Sequence, residues 1–79
     1  MHPYQREILT SALEGREREI IEYQVNIDNY RLAIAKITDD DEELLPFREH
    51  LQELLRSSLL EQRKSKIIRD VMAEQLANQ

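Results

Sequence analysis

The most constraining feature of this sequence is a regular spacing of mostly apolar residues over its first half. If the chain is helical there, nine side chains separated alternately by four and three residues share one face. They are Leu9, Leu13, Arg16, Ile20, Tyr23, Ile27, Tyr30, Ile34 and Ile37. A heptad seam sustained over four repeats predicts a long helix that packs lengthwise against another helix.

The rest of the chain predicts a second long helix and a short connection. Pro3 suits the first turn of a helix, where its missing N–H is not needed. We therefore predict one domain, 1–79, with helix 1 over about 3–38, an acidic turn over about 38–45 and helix 2 over about 46–77. Pro46 leaves the second start open, because that helix begins either at Pro46 or near Asp41 with the proline in its first turn.

Helix 2 has a less regular apolar pattern than helix 1. Leu51 and Leu55 are its expected core residues, and apolar residues return at 67, 68, 71, 72 and 76. The six residues from 61 to 66 are all polar, which predicts a stutter that takes the apolar face out of heptad phase. We expect the packing of this stretch to be the thinnest in the domain and to confer specificity for a partner.

Chain length and residue types favour self-association. A chain of 79 residues buries only about 60% of the surface that its unfolded form exposes, which leaves it marginally stable, and this one has no cysteine with which to form disulfides. Folding the chain about Asp41 makes an all-α antiparallel hairpin, which covers one stripe on each helix. The apolar residues beyond that stripe in helix 1 are Ile8, Ala12, Ile21, Val25 and Leu32. We therefore predict a homodimer that forms a four-helix bundle or coiled coil.

The segment from Thr38 to Glu43 carries five consecutive carboxylates. Asp39 with Glu42, or Asp40 with Glu43, has the spacing of a capping box at the start of a helix. A calcium loop needs alternating oxygen ligands and a central glycine, and this segment has neither. We therefore expect the acidic residues to cap helix 2 and expect no metal ion or cofactor.

The sequence contains none of the common catalytic motifs. It has no glycine-rich phosphate loop, no Gly-x-Ser-x-Gly elbow, no His-Glu-x-x-His pair and no cysteine nucleophile. It also lacks an apolar run long enough to cross a membrane and an amino-terminal signal pattern. We expect a cytoplasmic, non-enzymatic protein.

Two classes of function remain. An acidic helical hairpin with surplus apolar surface is typical of a protein-interaction module, such as an adaptor, an assembly factor or chaperone, or an inhibitor of a cellular protein, including those carried by mobile elements. The alternative is a nucleic-acid-binding regulatory dimer that uses the basic stretch Arg56–Arg69, although the net charge of −5 opposes it. The candidate contact residues for either partner are Arg16, Arg63, Lys64, Lys66 and Arg69.

Overall fold

The computed structural model describes residues 2–78 and consists of two antiparallel helices. Helix α1 spans Pro3–Ala35 and helix α2 spans Leu45–Ala77, each with 33 residues. They pack against each other along their length in a rod of 60 × 14 × 14 Å. No strand occurs within residues 2–78. The predicted all-α helical hairpin is confirmed.

Helix α1 begins where Pro3 was expected to begin it. His2 is the N-cap, and its Nδ1 atom accepts a hydrogen bond from the Tyr4 backbone N–H at 3.2 Å. The His2 backbone N–H in turn donates to the Gln5 side chain at 3.0 Å, which completes a capping box. The helix continues without a break through Gly15.

The connection between the helices begins earlier than predicted. Helix α1 ends at Ala35 and not near residue 38, and two successive turns then lead into α2. Their hydrogen bonds join the Asp41 N–H to the Thr38 carbonyl and the Leu44 N–H to the Asp41 carbonyl. A hydrogen bond with the Thr38 side chain lowers the pKa of the exposed Asp40 carboxyl.

The predicted capping boxes at the start of α2 are wrong. The helix begins at Leu45, which places Pro46 in the first turn, and the N-cap Leu44 offers no side-chain cap. The acidic side chains therefore lie in the connection, outside the helix they were expected to cap. Arg48, in the first turn of α2, reaches back 2.7 Å to the Asp39 carboxylate and 3.4 Å to the Ile37 carbonyl.

The core of the hairpin is the seam between the two helices. All nine seam residues from Leu9 to Ile37 are buried or half-buried. The most buried are Ile27, with no exposed surface, Ile20 and Ile37. Ile37 lies two residues beyond the end of α1 but is still buried in this core, because the chain reverses direction only after residue 37.

The predicted stutter in α2 is wrong, because its buried face keeps heptad spacing through the polar stretch. The residues on that face are Leu51, Leu55, Ser58, Gln62, Ser65, Arg69, Met72 and Leu76, all buried or half-buried. Ile67, Ile68 and Val71, which were expected to resume the apolar face, are instead 40–65% exposed. In this part of α2, polar residues therefore occupy the buried seam positions, and the neighbouring apolar residues are exposed.

The two helices are in the register expected for a chain folded about Asp41. Ile20 and Gln62, which lie equally far from Asp41 in the sequence, are joined by a hydrogen bond across the hairpin. Near the connection, Arg48 lies level with Ile37. For any residue of α1, the residue of α2 at the same level is therefore the one equally far from Asp41 in the sequence, to within about one helical turn.

Candidate interaction surface

The seam carries a polar layer about one third of the way along α1. Arg16, a candidate contact residue, is half-buried and pairs with Glu19 at 3.1 Å. The same Arg16 Nη1 atom donates to the Ser65 hydroxyl at 3.4 Å, and Ser65 is only 2% exposed. Arg16 is thus engaged within the hairpin and holds α1 and α2 together at this level.

Tyr23 extends this layer by one helical turn. Partial burial, together with the negative charges of Glu19 and Glu61 and a hydrogen bond with Glu19, raises the pKa of the Tyr23 hydroxyl. Each of these effects disfavours the tyrosinate form, because it places a new negative charge near others or away from water. Glu61 belongs to α2, so this cluster also spans both helices.

A second polar cluster lies on the opposite side of the seam. The Gln62 side chain, 5% exposed, donates to the Ile20 carbonyl at 3.1 Å and to the Gln24 side-chain oxygen at 3.0 Å. Gln24 in turn donates to Asp28 at 2.9 Å. The Glu61–Lys66 stretch therefore contains the two most buried polar residues described, and the expectation of thin packing there is wrong.

Among the described ion pairs, none joins this stretch to Glu17 or Glu19 across the hairpin. Lys64 pairs with Glu61, one turn away in its own helix, and Glu19 pairs with Arg16. Sequence reasoning missed Gln62 and Ser65 because it followed apolar residues only. Counting the alternation of four and three residues regardless of polarity would have found both.

Two long flanks border the seam, one on each side. The low-charge flank contains two rows of residues on each helix, with members seven positions apart. In α1 they are residues 5, 12, 19, 26 and 33 and residues 8, 15, 22 and 29. In α2 they are residues 47, 54, 61, 68 and 75 and residues 50, 57, 64 and 71. The charged flank also contains two such rows on each helix. In α1 they are residues 3, 10, 17, 24 and 31 and residues 7, 14, 21, 28 and 35. In α2 they are residues 45, 52, 59, 66 and 73 and residues 49, 56, 63, 70 and 77. In an antiparallel pair the equivalent flanks of the two helices meet on one side, as the Tyr23 cluster and the Gln24–Gln62 bond show.

The two flanks differ sharply in charge. Within the helices, ten of the 20 residues on the charged flank are Asp, Glu, Lys or Arg, against four of the 18 on the low-charge flank. The low-charge flank also carries large apolar side chains that the hairpin leaves exposed: Ile8 by 69%, Phe47 by 49%, Ile68 by 40% and Val71 by 49%. A surface with few charges and exposed apolar side chains is typical of a protein interface.

The low-charge flank has a groove at the open end of the hairpin. The groove has a volume of about 680 Å³ and is lined by side chains from both helices. Among them are Ile8, Leu9 and Ala12 of α1 and Met72 of α2. The groove is apolar because the seam residues Leu9 and Met72 are only half-covered where the helices end. Apolar surface therefore continues from the seam onto this flank.

The apolar residues expected to form a second stripe on α1 do not share one face. Ile8 and Ala12 lie on the low-charge flank, whereas Ile21 lies on the charged flank and Val25 and Leu32 face directly away from α2. All five are exposed. Their positions follow from the advance of about 100° per residue along a helix, which turns residue 21 far from residue 8.

The basic residues of α2 are spread around the helix and form no single basic face. Arg63 lies on the charged flank, Lys64 on the low-charge flank, and Lys66 is half-buried beside the seam. Arg69 occupies a seam position and pairs with Asp70 at 3.0 Å. Of the candidate contact residues in α2, only Arg63 and Lys64 are exposed.

Residues 2–78 contain neither a metal-binding cluster nor a membrane-spanning helix. Within that part of the chain, no group of three or more acidic or histidine residues is arranged to hold a metal ion, and neither helix is apolar enough to span a membrane. No family model matches the sequence, and comparisons with curated proteins and with solved structures find no significant similarity.

Proposed function

We propose that this protein is a non-enzymatic helical interaction module that works as a homo-oligomer and presents helix surfaces to another protein. The observation that carries the proposal is the amount of surface that the hairpin leaves uncovered. The chain exposes 6101 Å², whereas a compact monomer of 9.4 kDa exposes about 5,000 Å².

The excess is of the size that association covers. A difference of about 1,100 Å² is larger than the roughly 800 Å² that each partner contributes to a stable interface of standard size. Much of the uncovered surface is apolar, and an interface would also protect the partly open seam at the groove. Two hairpins side by side give a four-helix bundle, in which each helix gains a second neighbour.

Self-association on one flank leaves other apolar side chains for a different protein. Ile21, Val25 and Leu32 are 64%, 52% and 64% exposed and lie away from the low-charge flank. Their spacing of four and seven residues puts them on one side of α1, which is the pattern that a helix uses to dock in another protein's groove.

Sedimentation equilibrium tests the homo-oligomer. We expect a species of at least twice the chain mass of 9.4 kDa at tens of micromolar, and a monomer at that concentration overturns the proposal. Affinity capture from the native host then tests the second surface. The Val25→Lys/Leu32→Lys variant should lose captured proteins that Ser11→Lys, a change on the same outer side of α1, retains.

The nucleic-acid alternative is tested separately, by mobility shift at low and high salt. Binding that weakens steeply with salt and is lost in the Arg56→Gln/Arg63→Gln variant would favour it over a protein partner. The overall charge of −5 and the ion pairs at Lys64 and Arg69 favour the protein partner.

A further inference from the structure

We propose that the partner on the low-charge flank is a second copy of this chain, arranged so that α1 of each copy packs against α2 of the other. The twofold axis then runs parallel to the long axis of the hairpin, and both connections lie at the same end of the dimer. This inference rests on the proposed self-association and adds the surface and the orientation.

Side-chain size on the two helices supports this orientation. On the low-charge flank, α1 contributes small residues, notably Ala12, Gly15 and Ala33, and an added Cβ atom at Gly15 would meet nothing within 4 Å. At the corresponding levels, α2 contributes large ones: Ile68 lies level with Gly15, Val71 with Ala12, and Phe47 and His50 with Ala33. A large side chain of one copy therefore meets a small residue of the other, which allows close packing.

One charge contact fits the same arrangement. Both charged residues of α1 on this flank are acidic, Glu19 and Glu22, whereas α2 contributes the ion pair of Glu61 with Lys64. Glu19 lies level with Lys64, so packing α1 against α2 of the second copy brings these opposite charges together twice, while Glu22 lies level with Glu61.

The other twofold arrangement of the same flank is unfavourable. If the axis crosses the hairpin at right angles, α1 faces α1 and α2 faces α2. Glu19 and Glu22 of one copy would then meet the same two residues of the other, which is repulsive. Leu54 and Ile68 of α2 would also face each other across the interface instead of meeting the small residues of α1.

Disulfide crosslinking between single-cysteine variants tests the orientation, because the natural chain has no cysteine. Gly15→Cys and Ile68→Cys proteins are mixed and oxidised under mild conditions. We expect a covalent species at twice the chain mass in the mixture and little of it from either variant alone, since only the mixture places the two thiols within disulfide reach.

Sequence neighbours on the opposite flank provide the matched control. A mixture of Glu14→Cys and Asp70→Cys proteins, within two residues in each helix but on the charged flank, should give no more covalent dimer than either does alone. Crosslinking of this pair and not the first would overturn the choice of flank. Efficient self-crosslinking of Glu22→Cys would overturn the orientation, because it requires α1 to face α1.

Sedimentation of the same variants under reducing conditions separates this inference from the proposed function. A dimer without the Gly15–Ile68 crosslink means that the chain associates through another surface or in another orientation, so that only the inference is wrong. If every variant and the natural protein are monomers, both the proposed homo-oligomer and this inference are wrong.

Discussion

The Nε2 atom of Gln62 lies 3.1 Å from the backbone carbonyl oxygen of Ile20 and donates a hydrogen bond to it across the hairpin. A glutamine on the buried face of a long helix pair stabilises less than an apolar residue there, but it favours one alignment of the helices over its neighbours. Displacing α1 along α2 by one heptad would separate Gln62 from both of its partners, the Ile20 carbonyl and the Gln24 side chain.

Replacing Gln62 with leucine tests this trade between stability and register. We expect Gln62→Leu to leave the free energy of unfolding unchanged or to raise it by about 1 kcal/mol, since an apolar group of similar volume replaces a buried amide. Gln62→Ala should instead lower it by about 1–3 kcal/mol through a cavity. Urea denaturation measures both, and a leucine variant as unstable as the alanine variant would contradict this account of the site.

Ile27 and Ile21 allow a direct comparison of seam and surface with the same substitution. Ile27 has no exposed surface, so Ile27→Ala should lower the free energy of unfolding by about 2–5 kcal/mol. Ile21 is 64% exposed, and Ile21→Ala should change it by about 0.5 kcal/mol or less. Thermal melts of the two variants at equal concentration check the difference, and similar melting temperatures would mean that the seam is wrongly placed.

Gly15 should be replaceable by alanine with a gain in stability. Gly15 lies inside α1, where glycine costs about 1 kcal/mol relative to alanine, and no atom lies within 4 Å of an added Cβ. We expect Gly15→Ala to raise the free energy of unfolding by about 0.5–1 kcal/mol. Ala12→Gly, nearly one turn earlier on the same flank, is the reverse control and should lower it by a similar amount.

Stability should fall at alkaline pH in a way that depends on Tyr23. The pKa of its hydroxyl in the folded chain lies above the ordinary value of 10.0, so the unfolded chain ionises first as the pH rises. The stabilisation from the neutral hydroxyl is therefore present below about pH 10 and is lost as the pH passes through the folded-state pKa. Melting temperatures across this range should fall less for Tyr23→Phe than for the natural chain. Equal losses in the two proteins would show that other groups govern the alkaline transition.

The sequence by itself determined the two long helices and their antiparallel pairing. The seam from Leu9 to Ile37 repeats with a period that only a packed helix satisfies, and the few glycine and proline residues leave no other place for a chain reversal than the segment near Asp41. These are local properties of the chain, because helical periodicity and turn residues act within a few positions of each other.

Only the tertiary structure decided which residues of α2 face α1. Hydrophobicity favours Ile67, Ile68 and Val71 for the seam, yet Ser65 and Arg69 lie there. A rigid helix that has aligned Leu51 and Leu55 with its neighbour has no freedom to rotate one turn independently, so heptad phase overrides local hydrophobicity. The polar residues can stay buried because α1 supplies partners from far away in the sequence, such as the Ile20 carbonyl and Arg16.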